Sequence, residues 1–170
     1  MHMIKIAITG PECTGKSTLA KKLAKHFETI WIPEYAREYI ENLSRPYHRD
    51  DLLKIASGQY NAIEDVENQS LPIVFADTEM TVLKVWSDHK YGQTPPQILE
   101  MLDKQHFDHY LLMNIDLPWV YDSQREHPHL RQHFFDIYKN ELISRKWPFS
   151  VISGTEEARF QNALEVLNFA

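Results

Sequence analysis

Residues 10–17 read Gly-Pro-Glu-Cys-Thr-Gly-Lys-Ser: two glycines separated by four residues, then a lysine and a hydroxyl. Glycines let a backbone wrap closely around an anion and point its N–H groups inward. A lysine at this spacing reaches the β- and γ-phosphates of a nucleotide, and the serine hydroxyl completes a Mg²⁺ shell. The chemistry is capture of ATP or GTP by Gly10, Pro11, Glu12, Cys13, Thr14, Gly15, Lys16 and Ser17, with Thr18 one step further on. Asp77 follows the apolar run 73–76, which puts a carboxylate at a strand end, where it can hold Mg²⁺ through water. Its bland alternative is a cap for the next helix.

A second group of side chains suits an acceptor. Glu34-Tyr35-Ala36-Arg37-Glu38 follows another apolar run, so Glu34 can orient or deprotonate a substrate hydroxyl; an acidic helix N-terminus explains the same residues equally well. Arg125 and Arg131 can swing onto a transferring phosphate, or serve as ordinary surface arginines. Trp119, Tyr121 and Tyr35 offer stacking faces with Asp116 and Asp122 as acidic neighbours, against the usual role of aromatics in a core. His127, His129 and His133 lack the acidic or cysteine partner of a recognised metal set and read as surface histidines. Cys13 sits among the variable positions of the loop and reads as inert.

These residues need a sheet edge to hold them. Short apolar runs at 4–8, 29–32, 73–76, 110–113 and 149–153 alternate with amphipathic stretches, the pattern of a parallel sheet covered by helices on both faces. Helical spacing recurs after residue 16 and over 35–43, 50–68, 98–102, 130–142 and 160–167, and again through Val82, Val85 and Trp86. The phosphate loop thus lies between a strand and a helix, the context its chemistry requires. Residues 116–130, with prolines and mixed charges, read as a lid.

At 170 residues the chain fits one compact domain over 1–170. A net charge of −6 argues against a nucleic-acid groove, and no apolar run reaches the ~20 residues that cross a bilayer. The single cysteine rules out an intrachain disulfide and suits a reducing compartment, so the expected location is the cytoplasm. A GTPase switch is disfavoured: Asn-Lys-x-Asp is missing, and Met80 stands where a switch would want glycine. Oligomeric state leaves no signature in the chain.

Together with the phosphate loop, Glu34-Tyr35-x-Arg37-Glu38, Gln59, Asp77-Thr78 and Trp119-Val120-x-Asp122-x-x-Arg125 make the chain resemble, nearly end to end, the ribosylnicotinamide kinase domain of the bacterial bifunctional NAD-biosynthesis regulator. The resemblance implies a three-layer α/β/α fold with a five-stranded parallel sheet of order 2-3-1-4-5. It implies ATP and Mg²⁺ as co-substrate and cofactor, and a small nucleoside, nicotinamide riboside, as acceptor. It further implies that Glu34, Tyr35 and Arg37 face the nucleoside, Asp77 serves the metal or hydroxyl, and Arg125 closes over phosphates; Trp119 and Asp122 would suit a cationic pyridinium ring. The resemblance does not extend to that regulator's adenylyltransferase and DNA-binding parts. Two other readings stay open: a kinase of another nucleoside or nucleotide, and a slow ATPase acting as a nucleotide-dependent switch.

Overall fold

The structure is a computed structural model that describes residues 2–168. Five parallel strands, β1 (Ile4–Thr9), β2 (Trp31–Ile32), β3 (Ile73–Asp77), β4 (His109–Met113) and β5 (Phe149–Ile152), form one sheet in the order β2-β3-β1-β4-β5. The helices are α1 (Lys16–His26), α2 (Tyr35–Glu41), α3 (Arg49–Asp65), α4 (Met80–Tyr91), α5 (Pro96–Lys104), α6 (Arg131–Ser144) and α7 (Glu156–Val166). Fold class and strand order are as expected from the sequence.

Successive side chains on a strand point to opposite faces, and here that parity sorts the core into layers. Ile6, Ile8, Phe75, Leu111 and Met113 pack with Leu19 and Leu23 of α1 and Ala163 of α7. Ala7, Val74, Ala76, Tyr110 and Leu112 cluster with Val85 of α4 and Phe134, Tyr138 and Leu142 of α6. A third cluster ties α2, α3, α4 and α5 together through Ala36, Leu52, Ile55, Met80, Leu83 and Ile98. Strands buried on both faces explain why the runs are continuously apolar rather than alternating.

Element ends differ from expectation for local reasons. β2 is only Trp31–Ile32: the Thr29 N–H is taken by Ala24 O of α1 at 2.9 Å, and its Oγ1 donates to Ile73 O at 2.6 Å. The helix expected over 50–68 breaks at Asp65 into a 3₁₀ turn, Val66–Asn68. α5 is longer than 98–102 because Pro96 can open a helix at a position whose N–H is unbonded anyway. α7 starts at Glu156, its first turn carrying Glu156 and Glu157, where apolar spacing gives no signal. Among the described residues no helix is long and apolar enough to cross a membrane.

One buried carboxylate locks the carboxyl edge of the sheet. Glu79, fully buried, caps α4 by accepting from Thr81 N at 2.7 Å, and also accepts from Thr9 Oγ1 at 2.8 Å and Gln105 Nε2 at 2.7 Å. Replacing it by leucine removes the acceptor of Thr9 Oγ1 and Thr81 N and leaves Gln105 Nε2 only its 3.3 Å bond to Tyr110 Oη; a buried donor left unbonded costs ~1–3 kcal/mol. Thermal unfolding followed by circular dichroism is expected to show Glu79→Leu melting at least ~5 °C below the parent.

Candidate active site

The phosphate loop leaves β1 at Gly10, whose φ of 130° is a conformation glycine tolerates. A Cβ there would sit 3.1 Å from Met113 O and 3.3 Å from Met113 N, so the loop approaches the end of β4 because Gly10 has no side chain. α1 begins after Gly15, with no side-chain cap and no acidic residue in its first turn. Its first N–H groups and the positive end of its dipole therefore face the loop. Lys16 Nζ lies across the mouth, donating to Gly10 O at 3.0 Å and Pro11 O at 2.8 Å, while Thr14 Oγ1 donates to Pro11 O at 2.8 Å.

Arg159 holds the loop from behind. It is buried, and its guanidinium donates to Thr14 O at 3.0 Å, to the carbonyls of Ile152, Gly154 and Asn114, and to Asp116. Asp116 also accepts from Gly154 N at 2.6 Å, so this carboxylate braces the ends of β4 and β5. Arg159 carried no sequence signal, since it lies in the first turns of α7, ahead of the helix expected over 160–167.

Asp77 ends β3 beside Ile8 of β1, 1% exposed. Neither carboxylate oxygen meets hydrogen-bond geometry with any described residue, although the Ser17 hydroxyl and the Lys16 ammonium lie near enough to favour the charged form. Burial outweighs them and pushes the carboxyl up to about 6. The next residue, Thr78, has φ 81°, strained for a β-branched side chain. Mg²⁺ is commonly held by one or two carboxylates plus substrate phosphates, and no group of three metal-ligating side chains occurs among the described residues. Asp77, with two unbonded oxygens, and Ser17 form a hard-oxygen donor set that fits such an ion.

Glu34 precedes α2 and makes no capping bond of its own. It lines the cleft in front of the loop together with Arg37. Tyr35 is partly exposed and its ring lies over Gly58.

The 114–130 segment crosses the front of the loop and is tied to it by positions that the motif leaves free. Glu12 accepts from the N–H groups of Glu126 at 3.1 Å and His127 at 3.3 Å; Cys13 Sγ accepts from Val120 N at 3.1 Å. Arg125 Nη1 donates to Val120 O at 2.6 Å and lies 3.3 Å from Cys13 Sγ, at the cleft. Arg131 donates to Leu117 O at 2.9 Å and Cys13 O at 3.3 Å, with its guanidinium 5.9 Å from the Trp119 ring. Asp122 pairs with Arg37 at 3.0 Å. Trp119 and Asp122 are not among the residues lining the cleft, and Tyr121 is 83% exposed.

The cleft, about 330 Å³, runs from residues 10–18 past Glu34 and Arg37 to a wall of Tyr47, Trp86, His89, Phe134 and Tyr138. Trp86 Nε1 donates to Tyr47 Oη at 3.1 Å, and Tyr47 Oη reaches Glu126 at 3.2 Å. Sequence reading missed this wall: Trp86 and Phe134 recur at helical spacing and look like core, and Tyr47 stands in a loop without a motif. His127 lines the cleft with its ring centroid 4.6 Å from that of His89, and burial with the neighbouring His127 holds His89 below its ordinary value.

Residues 5–159 match the AAA domain family. Over 126 residues the chain is 31% identical to the trifunctional NAD biosynthesis/regulator protein NadR of Escherichia coli (strain K12), and equally to that of Salmonella typhimurium. Each match covers 71% of this chain but 30% of the relative, so the chain spans under a third of these proteins. Among solved structures, a NadR protein in complex with NR superposes with a TM-score of 0.84 at 23% identity, covering 98% of this chain and 51% of that one. A deoxyadenosine kinase from M. mycoides with dCMP and dCDP bound gives 0.71 at 14% identity, over 98% and 100% of the two chains. A thymidylate kinase from Ehrlichia chaffeensis gives 0.68 at 16%, over 99% of each.

The buried Asp77 makes a prediction about the ligand-free protein. Its folded pKa of about 6 lies above the usual 3.8, so its contribution to stability is fully present below pH 3.8 and is lost as pH rises through about 6. That rise corresponds to about 3 kcal/mol. Asp77→Asn is therefore expected to be more stable than the parent at pH 7.5 and equal to it near pH 4, in urea unfolding at both pH values.

Proposed function

The chain belongs to the AAA domain family, and from that premise we propose that it is an ATP-dependent kinase of a small nucleoside, with nicotinamide riboside as acceptor, releasing the 5′-monophosphate and ADP. The observation that carries this reading is the continuity of the cleft: one volume of about 330 Å³ is lined by the phosphate loop, by Glu34 and by the aromatic side chains Tyr47, Trp86, Phe134 and Tyr138. A switch that only hydrolyses nucleotide has no use for such a chamber.

The chemistry follows from position. Loop N–H groups and Lys16 hold the triphosphate. Mg²⁺, held by Ser17 and Asp77, would neutralise phosphate charge. Glu34 orients the acceptor hydroxyl, whose oxygen bonds to the γ-phosphorus as the bond to the β,γ-bridging oxygen breaks; Glu34 or solvent takes the proton. Residues 116–130 act as the lid of a single domain, and Arg125 offsets charge on the moving phosphoryl group.

The acceptor chamber suits an uncharged or cationic nucleoside better than a nucleotide. Of the three arginines lining the cleft beyond the loop, Arg125 is the one assigned to the moving phosphoryl group, and the other two are already neutralised: Arg37 by Asp122, and Arg45 by two bonds to Asp51, at 2.7 and 3.0 Å. Arg45 and the His48 N–H in turn hold the Asp51 carboxyl well below the usual range. Glu126 is likewise paired, with Lys90 at 3.1 Å, whereas Glu34 lines the cleft with no ion pair among the described residues, and aromatic faces with an acidic neighbour favour a cationic ring. The relatives' names and the NR complex of a structural neighbour point the same way.

ADP release from Mg–ATP, with nicotinamide riboside and a panel of other nucleosides, tests the proposal. Nicotinamide riboside is expected to stimulate release strongly, and Lys16→Ala to cut the stimulated rate about a hundredfold or more. Trp86→Ala is expected to raise the acceptor KM about tenfold while leaving acceptor-free hydrolysis unchanged. Stimulation by a different nucleoside alone would reassign the acceptor. Hydrolysis indifferent to every acceptor would replace the kinase with a nucleotide-dependent switch.

A further inference from the structure

We infer that Gln59 is the positioning residue for Glu34, seating the turn that carries it; the inference rests on the kinase reading for its catalytic consequence but not for its structural one. Gln59 lies in α3, 1% exposed, and is absent from the cleft lining. Both ends of its amide are engaged by the turn before α2: Oε1 accepts from Tyr35 N at 2.8 Å, and Nε2 donates to Pro33 O at 3.4 Å. A side chain so placed cannot also read an acceptor in the cleft.

The turn needs an external seat. Tyr35 is the first residue of α2, so its N–H has no acceptor within the helix. The Glu34 side chain makes no capping bond to the first turn and so is left for the cleft, and the Tyr35 N–H is satisfied from outside the helix. Gln59 does this from the neighbouring helix. The preceding residue, Gly58, completes the seat: a Cβ there would lie 2.3 Å from the Tyr35 ring, so the ring occupies the space that any other residue would fill. Gly58 and Gln59 together fix where the chain turns from β2 into α2, and with it the carboxylate between the turn's two bonded backbone groups.

The test uses Gln59→Met, close in shape but unable to make either bond, and Gln59→Asn, one methylene short, which stands in if the first variant fails to fold. Amide hydrogen exchange is expected to show protection lost at Tyr35 and retained in the interior of α3. The variant's kcat is expected to fall ten- to a hundredfold, the range for a reacting group misplaced by about 1 Å, with acceptor KM within about threefold of the parent. In a Glu34→Gln background Gln59→Met is expected to cause no further fall, because it acts through Glu34. Unchanged exchange at Tyr35, a multiplicative loss in the double variant, or a rise in acceptor KM with kcat intact would each overturn the inference. A parent protein without acceptor-stimulated turnover would overturn the kinase reading alone, and the exchange measurement would still decide the seat.

Discussion

Asp77 carries two carboxylate oxygens out of water at the end of β3 and bonds neither of them. Two residues on, Glu79 is buried just as deeply and has a donor at every turn: Thr9, Thr81 N and Gln105. The two carboxylates share a sheet edge and a burial cost, and differ only in what has been supplied to them. Glu79 is finished as structure. Asp77 is left open, and folding around an open carboxylate is sustained by a core packed on both sheet faces.

Other local rules break in the same place. Cys13 and Thr78 both have positive φ, at the phosphate loop and beside Asp77, and α1 starts without a side-chain cap. Around them the supports are tight: Arg159 bonds four carbonyls beneath the loop, and Gly10 lets it lie against Met113. Glu12 and Cys13 fasten the 114–130 segment over the front. The strained Thr78 and the unbonded oxygens of Asp77 lie where metal chemistry would use them, held by these supports.

Much of this was legible in the sequence because it is local. The phosphate loop is eight consecutive residues, Asp77 directly follows its apolar run, and strand parity appears as continuous hydrophobic runs. The acceptor wall was not legible, because Tyr47, Trp86 and Phe134 come from a loop and two helices that meet only in the fold, and each alone looks like packing. Trp119, prominent as a motif residue, lies under Arg131 instead. Glu12 and Cys13 sit at motif positions whose side chains the motif leaves free, so their side-chain bonds to the 114–130 segment had no one-dimensional signal. Gln59 stood out only by resemblance; its two backbone bonds supply the physical reason.

A metal role for Asp77 is open to one direct measurement: titration calorimetry of ATP binding to the parent and to Asp77→Asn, each with Mg²⁺ and with a chelator. If Asp77 holds the ion, Mg²⁺ tightens binding to the parent by about tenfold or more, and that gain disappears in Asp77→Asn while chelated ATP binds both proteins similarly. An equal Mg²⁺ gain in the two proteins would contradict it, and would leave the unbonded carboxylate without the ligand its position calls for.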